Sequence, residues 1–190
     1  LFSDLEPMRP LEPADTGNTI YWKNTAEASV QVWYPYRTDS PVNISDQSGG
    51  YADFDLLYAT ARGRYDQEIN LRFNHRMAKV EVTLAAGDDI TEEELDGATV
   101  KIYGVWEVKF IDGSVNPKKS TYGEIKPYHD GATKKFEAVM APQNTTGKVL
   151  IEIGIGGKTF TYTPDTDAVG KLEAGKRYAY TITVKASGID

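Results

Sequence analysis

Two histidines, several clustered carboxylates and one glycine-rich Lys-Thr segment are the places where chemistry could reside in this chain, which contains no cysteine. The missing thiols remove disulfides, cysteine nucleophiles and thiolate metal centres together. His75 stands beside Arg76 and four residues before Lys79. A cationic setting of that kind works against both an imidazolium and a divalent ion, so the expected role is structural, a histidine hydrogen-bonded at a strand start. His129, next to Asp130 and bounded by Pro127 and Gly131, reads as a solvated loop residue. Two histidines are too few for a His-rich metal site, and no metal, cofactor or catalytic residue is expected.

Gly154-Ile155-Gly156-Gly157-Lys158-Thr159 ends like a phosphate-binding loop, but Glu152 occupies the position of the opening glycine and no helical pattern follows. A hairpin turn explains both central glycines. The acidic group Asp88, Asp89, Glu92, Glu93, Glu94 and Asp96 lacks the alternating oxygen ligands and central glycine of a calcium loop. A solvated helical turn accounts for it, with Thr91 and Glu94 at capping-box spacing. Asp53 and Asp55 give no sign of the two carboxylates facing across a cleft that a glycosidase requires. The aromatic group Tyr21, Trp22, Trp33, Tyr34 and Tyr36 is the feature suited to a ligand, because flat rings stack on sugars and anchor protein interfaces. Within it Trp33 lies on the face opposite Val30, Val32 and Tyr34, and is the candidate interface residue.

The elements that must position these residues are strands. A chain of 190 residues that is 40% hydrophobic can bury a core. Twelve tyrosines and abundant Val and Thr favour pleated, half-buried surfaces. A net charge of -7 without a basic stripe excludes nucleic acid as a partner. No stretch reaches the length of a membrane span, and with Leu1 as the first residue any targeting segment is expected upstream. Pro7, Pro10 and Pro13 predict an extended lead-in over residues 1–19. Strands are predicted within 20–36, where Val30, Val32 and Tyr34 alternate with Gln31 and Trp33 and the strand stops at Pro35, and over 68–84, where Ala78, Val80, Val82 and Leu84 alternate with polar residues. Further strands follow at 99–108 and 136–140, then a hairpin over 148–163 turning at Gly156-Gly157, and a closing strand at 178–184. Phe54, Leu57, Tyr58 and Ala61 predict a short helix in 51–61, and residues 109–135 read as a long polar connection. The pattern predicts an all-β antiparallel sandwich in two tandem parts: an incomplete N-terminal β domain over 1–72 and a C-terminal sandwich over 73–190.

Leu71-Arg72-Phe73-Asn74-His75-Arg76-Met77-Ala78-Lys79-Val80-Glu81-Val82-Thr83-Leu84 resembles a stretch that recurs in the fimbrillin-like family of Bacteroidales surface proteins, with Phe73, His75, Ala78, Lys79, Val80 and Val82 at the matching positions. Val32-Trp33-Tyr34-Pro35-Tyr36, Phe136 to Gln143, and Gly175-Lys176-Arg177-Tyr178 with Thr181 to Val184 resemble further pieces of the family in the same order. The resemblance implies two transthyretin-like or Ig-like β-sandwich domains with short helical turns. It implies export as a lipoprotein to the outer membrane and a place in a fimbrium as stalk, tip or anchor subunit. It also implies partnership with other fimbrial subunits by strand donation, with the only membrane contact through a lipid upstream. A host protein or glycan receptor is the further partner to consider. The competing reading is a cell-surface glycan-binding β-sandwich module, for which the aromatic group would supply the site.

Overall fold

A computed structural model of the protein describes residues 21–22, 24–37, 40–88 and 90–189. The predicted lead-in and Asp89 of the acidic turn lie outside them. In chain order the first elements are β1 (Ala28–Tyr34), β2 (Val42–Asn43), β3 (Leu57–Gly63), β4 (Asn74–His75), β5 (Ala78–Ala86), helix α1 (Glu92–Asp96), β6 (Thr99–Val105), β7 (Glu107–Ile111) and β8 (Ser114–Pro117). They are followed by β9 (Tyr122–Ile125), β10 (Tyr128–His129), β11 (Lys135–Met140), β12 (Gln143–Asn144), β13 (Ile151–Ile155), β14 (Lys158–Tyr162), helix α2 (Asp167–Gly170), β15 (Lys171–Leu172), β16 (Arg177–Lys185) and β17 (Gly188–Ile189).

Two sheets carry the fold, one in the order β10-β11-β5-β16-β17 and one in the order β14-β13-β6-β9. Strand alternation sends Val80, Val82 and Leu84 of β5, Ala138 and Met140 of β11, and Ile182 and Val184 of β16 to one side. These join Val100, Ile102, Ile125, Ile151 and Ile153 of the second sheet in a single apolar cluster. The result is the expected β-sandwich. Its strands are antiparallel except that β5 and β16 run parallel, from Lys79 opposite Arg177 to Ala86 opposite Val184. The connection between that pair contains the whole second sheet, so alternation within each strand carries no trace of it.

Residues 42–56 precede the expected boundary at 72/73, yet Val42, Ile44 and Leu56 belong to the same cluster. β2 pairs with β7, and Gln47, fully buried, lays its side-chain amide along β11. Gln47 Nε2 donates to Val139 O at 2.8 Å and Val139 N donates to Gln47 Oε1 at 2.9 Å, so one side chain imitates a rung of the sheet. The small sheet β1-β3-β4 stands beside this body.

The predicted helix over 51–61 is a single 3-10 turn, Ala52–Phe54, followed by β3. Its apolar spacing came from a turn and a strand placed end to end. The predicted polar connection over 109–135 contains β8, β9 and β10, too short and polar to show alternation. Residues 68–73 add no strand to β4 and β5. The acidic turn forms as expected: Thr91 Oγ1 accepts from Glu94 N at 3.2 Å, and Glu94 Oε2 accepts from Thr91 N at 2.8 Å. Thr91→Ala, which removes the capping oxygen, is expected to lower stability by about 1 kcal/mol, read as a shift in urea midpoint. The hairpin turns at Gly156 and Gly157, with φ of 55° and 75°, the left-handed pair that a type I′ turn demands. No helix among the described residues is long and apolar enough to cross a membrane.

Candidate functional site

The motif strand separates two kinds of burial. Ala78, Val80 and Val82 are fully buried in the apolar core. Lys79 and Glu81, on the opposite face, are also buried, at 8% and 6% exposure. Cross-strand register sets Glu81 directly against Glu137. Two carboxylates in that position repel, and cations hold them together. Lys79 Nζ lies 2.7 Å from Glu137 Oε1 and 2.9 Å from Glu81 Oε1, and donates to Tyr51 Oη at 2.9 Å. Lys135 bridges the same carboxylates at 3.3 and 3.0 Å, and Arg177 Nη1 stands 3.5 Å from Glu81. Burial alone would push the Lys79 ammonium down, but its bonds to Glu137, Tyr51 and Glu81 outweigh that and hold its pKa well above the ordinary lysine value. Burial likewise opposes ionisation of Glu81, yet Lys79 and Lys135 keep its carboxyl below the usual range.

His75 closes β4, where it pairs with Leu57 of β3. Its Nδ1 lies 2.7 Å from Asp55 Oδ2, so the expected cationic setting is answered by a carboxylate twenty residues upstream. Neighbours in sequence misled here because Lys79 turns to the ion cluster on β5. Phe73 is half-buried just before β4. His129 belongs to β10 instead of an open loop, stacked on Phe136 at 4.2 Å with Nε2 2.6 Å from Thr133 O. Among the described residues no group of three or more His, Asp or Glu is arranged to hold a metal ion.

Two surface features offer more than internal packing. The first is the outer edge of β16. Lys79 N donates to Lys176 O at 2.9 Å, which fixes the phase of the parallel ladder: even-numbered residues of β16 pair with β5. Arg177, Ala179, Thr181 and Thr183 therefore turn their peptide groups away from β5. On that side, among the described residues, β17 meets β16 only at Val184 and Lys185. Beside this edge the second sheet ends in β14, and the seam holds half-buried Phe160, Tyr162, Tyr178 and Tyr180, with the Tyr162 and Tyr180 rings 5.6 Å apart. Burial raises the pKa of both Tyr162 and Tyr180, with a push from Asp165 on the first and from Tyr162 on the second.

The second feature is a groove of about 320 Å³ between the small sheet and the β7–β8 hairpin. Trp33 of β1, 47% exposed, faces Tyr58 of β3 in register and forms one wall. Phe110, Asp112 and Gly113 form the other, over a floor that includes Val42 and Leu56. Tyr58 meets Phe110 edge to face at 6.3 Å. Gly113, at φ 73°, lets the hairpin turn sit on Tyr58, since a Cβ there would come within 2.6 Å of the ring.

The model of the fimbrillin-like family matches residues 9–190. The chain belongs to the fimbrillin-like family. A relative from Bacteroides uniformis named "Putative fimbrium subunit Fim1C" is 27% identical over 93% of the chain, which spans 64% of that protein's length. A crystal structure of a "putative cell adhesion protein" from the same species superposes with a TM-score of 0.77 at 26% identity, covering 93% of the chain and 75% of the other. A Bacteroides ovatus structure at 22% identity shares the fold, with a TM-score of 0.72 over 96% of this chain and 71% of that one.

In this fimbrillin-like chain the sequence singled out Trp33 but not the groove it borders. The outer edge of β16 leaves no mark on the sequence pattern, because alternation reports which face of a strand is buried and says nothing of which edge is paired. The Asp112-Gly113 pair, an Asp-Gly turn flanked by Val108, Phe110 and Val115, was the available signal for the β7–β8 hairpin.

Proposed function

We propose that this chain is a structural or adhesive subunit of a bacterial surface fimbrium and that it joins a neighbouring subunit by accepting a β-strand along β16. The observation that carries the reading is the row of outward peptide groups at Arg177, Ala179, Thr181 and Thr183, which have no backbone partner among the described residues. Seven residues of open edge span roughly 20 Å, enough for an average strand. An added strand would satisfy those groups and cover the half-buried tyrosines of the seam, the two rewards that drive strand addition at an exposed edge. Similarity to a fimbrium subunit supports the same role, at the cell surface and with other subunits as partners. No catalytic role is assigned: the buried carboxylates Glu81 and Glu137 are held in ion pairs that serve the fold.

Proline distinguishes the two sides of β16. Ala179→Pro removes an N–H that faces outward, so the isolated chain is expected to melt within about 5 °C of the parent while failing to enter SDS-resistant polymers in a fimbriated Bacteroides host. Tyr180→Pro removes an N–H bonded to β5 and is expected to unfold the chain. A thiol introduced as Thr181→Cys, unique in this cysteine-free chain, should react with maleimide in the monomer and be protected in the polymer. Polymer entry by Ala179→Pro at the parent level, with the thiol still reactive, would sink the proposal.

A further inference from the structure

The groove beside Trp33 has a composition that an interface between subunits does not require. Its floor and walls are apolar and aromatic, from Val42, Leu56, Tyr58, Phe110 and the Trp33 ring, while its rim is polar. The Gln31 amide, the Ser40 hydroxyl and the Asp112 carboxylate on that rim make no side-chain hydrogen bond or ion pair among the described residues. Gln31 and Trp33 are two residues apart on β1 and so project from the same face, as Tyr58 does from the position opposite Trp33. The site therefore presents a flat ring, a shallow apolar floor, and both donors and acceptors at its margin.

We infer that this groove binds the terminal neutral hexopyranose of a glycan. A pyranose has one C–H-rich face that stacks on an indole and a ring of hydroxyls, each both donor and acceptor. The amide and carboxylate of the rim complement those hydroxyls, and the Trp33 ring complements the C–H face. About 320 Å³ lies at the lower end of small-molecule sites, which run from about 300 to 1,000 Å³, and suits one or two sugar rings. Charge favours the neutral class: the lining holds one carboxylate, Asp112, and one guanidinium, Arg37, which already donates to Asp53 O at 2.8 Å and lies over the Phe54 ring, so the groove carries no net positive charge to draw a sialylated or sulfated end to a chain of net charge -7. Size argues against a protein occupant, since a specific protein interface covers about 800 Å² on each partner.

The test uses the full 190-residue chain on an array of neutral, sialylated and sulfated oligosaccharides, followed by titration with the methyl glycoside of the strongest neutral hit. Saturable binding to a neutral end is expected, and Trp33→Ala should weaken it about tenfold or more, the loss of one stacked ring with its buried area. Asp112→Asn, which keeps a residue tolerant of the φ of 49° found there, should weaken it to a similar degree without unfolding the hairpin. Trp22→Ala, outside the groove, should bind as the parent does. Absence of saturable binding to any neutral glycan overturns the inference, as does parent-like binding by both groove variants. Self-association that Trp33→Ala abolishes, with no glycan bound, would also overturn it by giving the groove to a second copy. Because the assay reads the isolated chain and needs no polymer, its failure is distinct from failure of strand acceptance at β16.

Discussion

Lys79→Met is expected to lower the stability of the chain at pH 7 by about 3–5 kcal/mol, the cost of stranding buried charge when one partner of an internal ion cluster is removed. Methionine fills most of the lysine's volume, so little of the loss comes from packing. What remains is Glu81 against Glu137 in direct register, with only Lys135 and the more distant Arg177 to separate them. The loss should shrink on acidification. In the parent, Glu81 is held below the usual carboxylate range, so its contribution is present above about pH 4.3 and fades as pH falls through the depressed value. Lys79, with its pKa raised, contributes at all lower pH and loses its share only above the ordinary lysine value of about 10.4. In Lys79→Met the sign reverses for Glu81: burial without its main cation favours the protonated form, so the variant gains on the parent as pH drops. Urea midpoints at pH 7 and pH 4 would show the gap narrowing. A second change, Glu137→Gln, should recover part of the loss at pH 7 only in the Lys79→Met background. A gap that is constant with pH and unaffected by Glu137→Gln would mean that Lys79 acts through its aliphatic stem and its contact with the Tyr51 ring.

Gln47→Leu should cost about 2–4 kcal/mol despite its similar size, because it leaves both the N–H and the C=O of Val139 buried and unpaired, each at about 1–3 kcal/mol. The Gln47 Nε2 bond to Ile44 O at 3.1 Å is lost with them. The effect has a second reading, in where the chain divides. If Gln47, Val42, Ile44 and Leu56 tie residues 42–56 to the C-terminal strands, Gln47→Leu should open the loops flanking this segment to trypsin before any cut appears after Arg72 or Arg76. A chain begun at Phe73 would lose all four buried residues, and its stability relative to the full chain would measure how independent the proposed 73–190 unit is. Equal stability of Gln47→Leu and the parent would show that water replaces the amide in pairing Val139.

Much of this architecture could be read directly. β5, β13, β14 and β16 alternate strictly, because each has one face on a core and the pleat has a period of two residues. The Gly156-Gly157 turn and the Thr91 capping box are local chemistry, closed within a few residues, and they formed where the residues dictated. The motif around Lys79 carried the family with it. Tertiary structure alone decided three things. It set β5 and β16 parallel, since a strand's own pattern does not encode its neighbour's direction. It buried both faces of β5, turning the polar positions Lys79 and Glu81 into an internal ion cluster by bringing Glu137, Lys135 and Tyr51 from elsewhere in the chain. It also placed Trp33 across from Asp112, 79 residues later, and, among the described residues, left the outer edge of β16 without a strand along most of its length. A sequence records how each segment divides itself between core and surface; which segments then meet is set by non-local packing, and both proposed sites are products of that meeting.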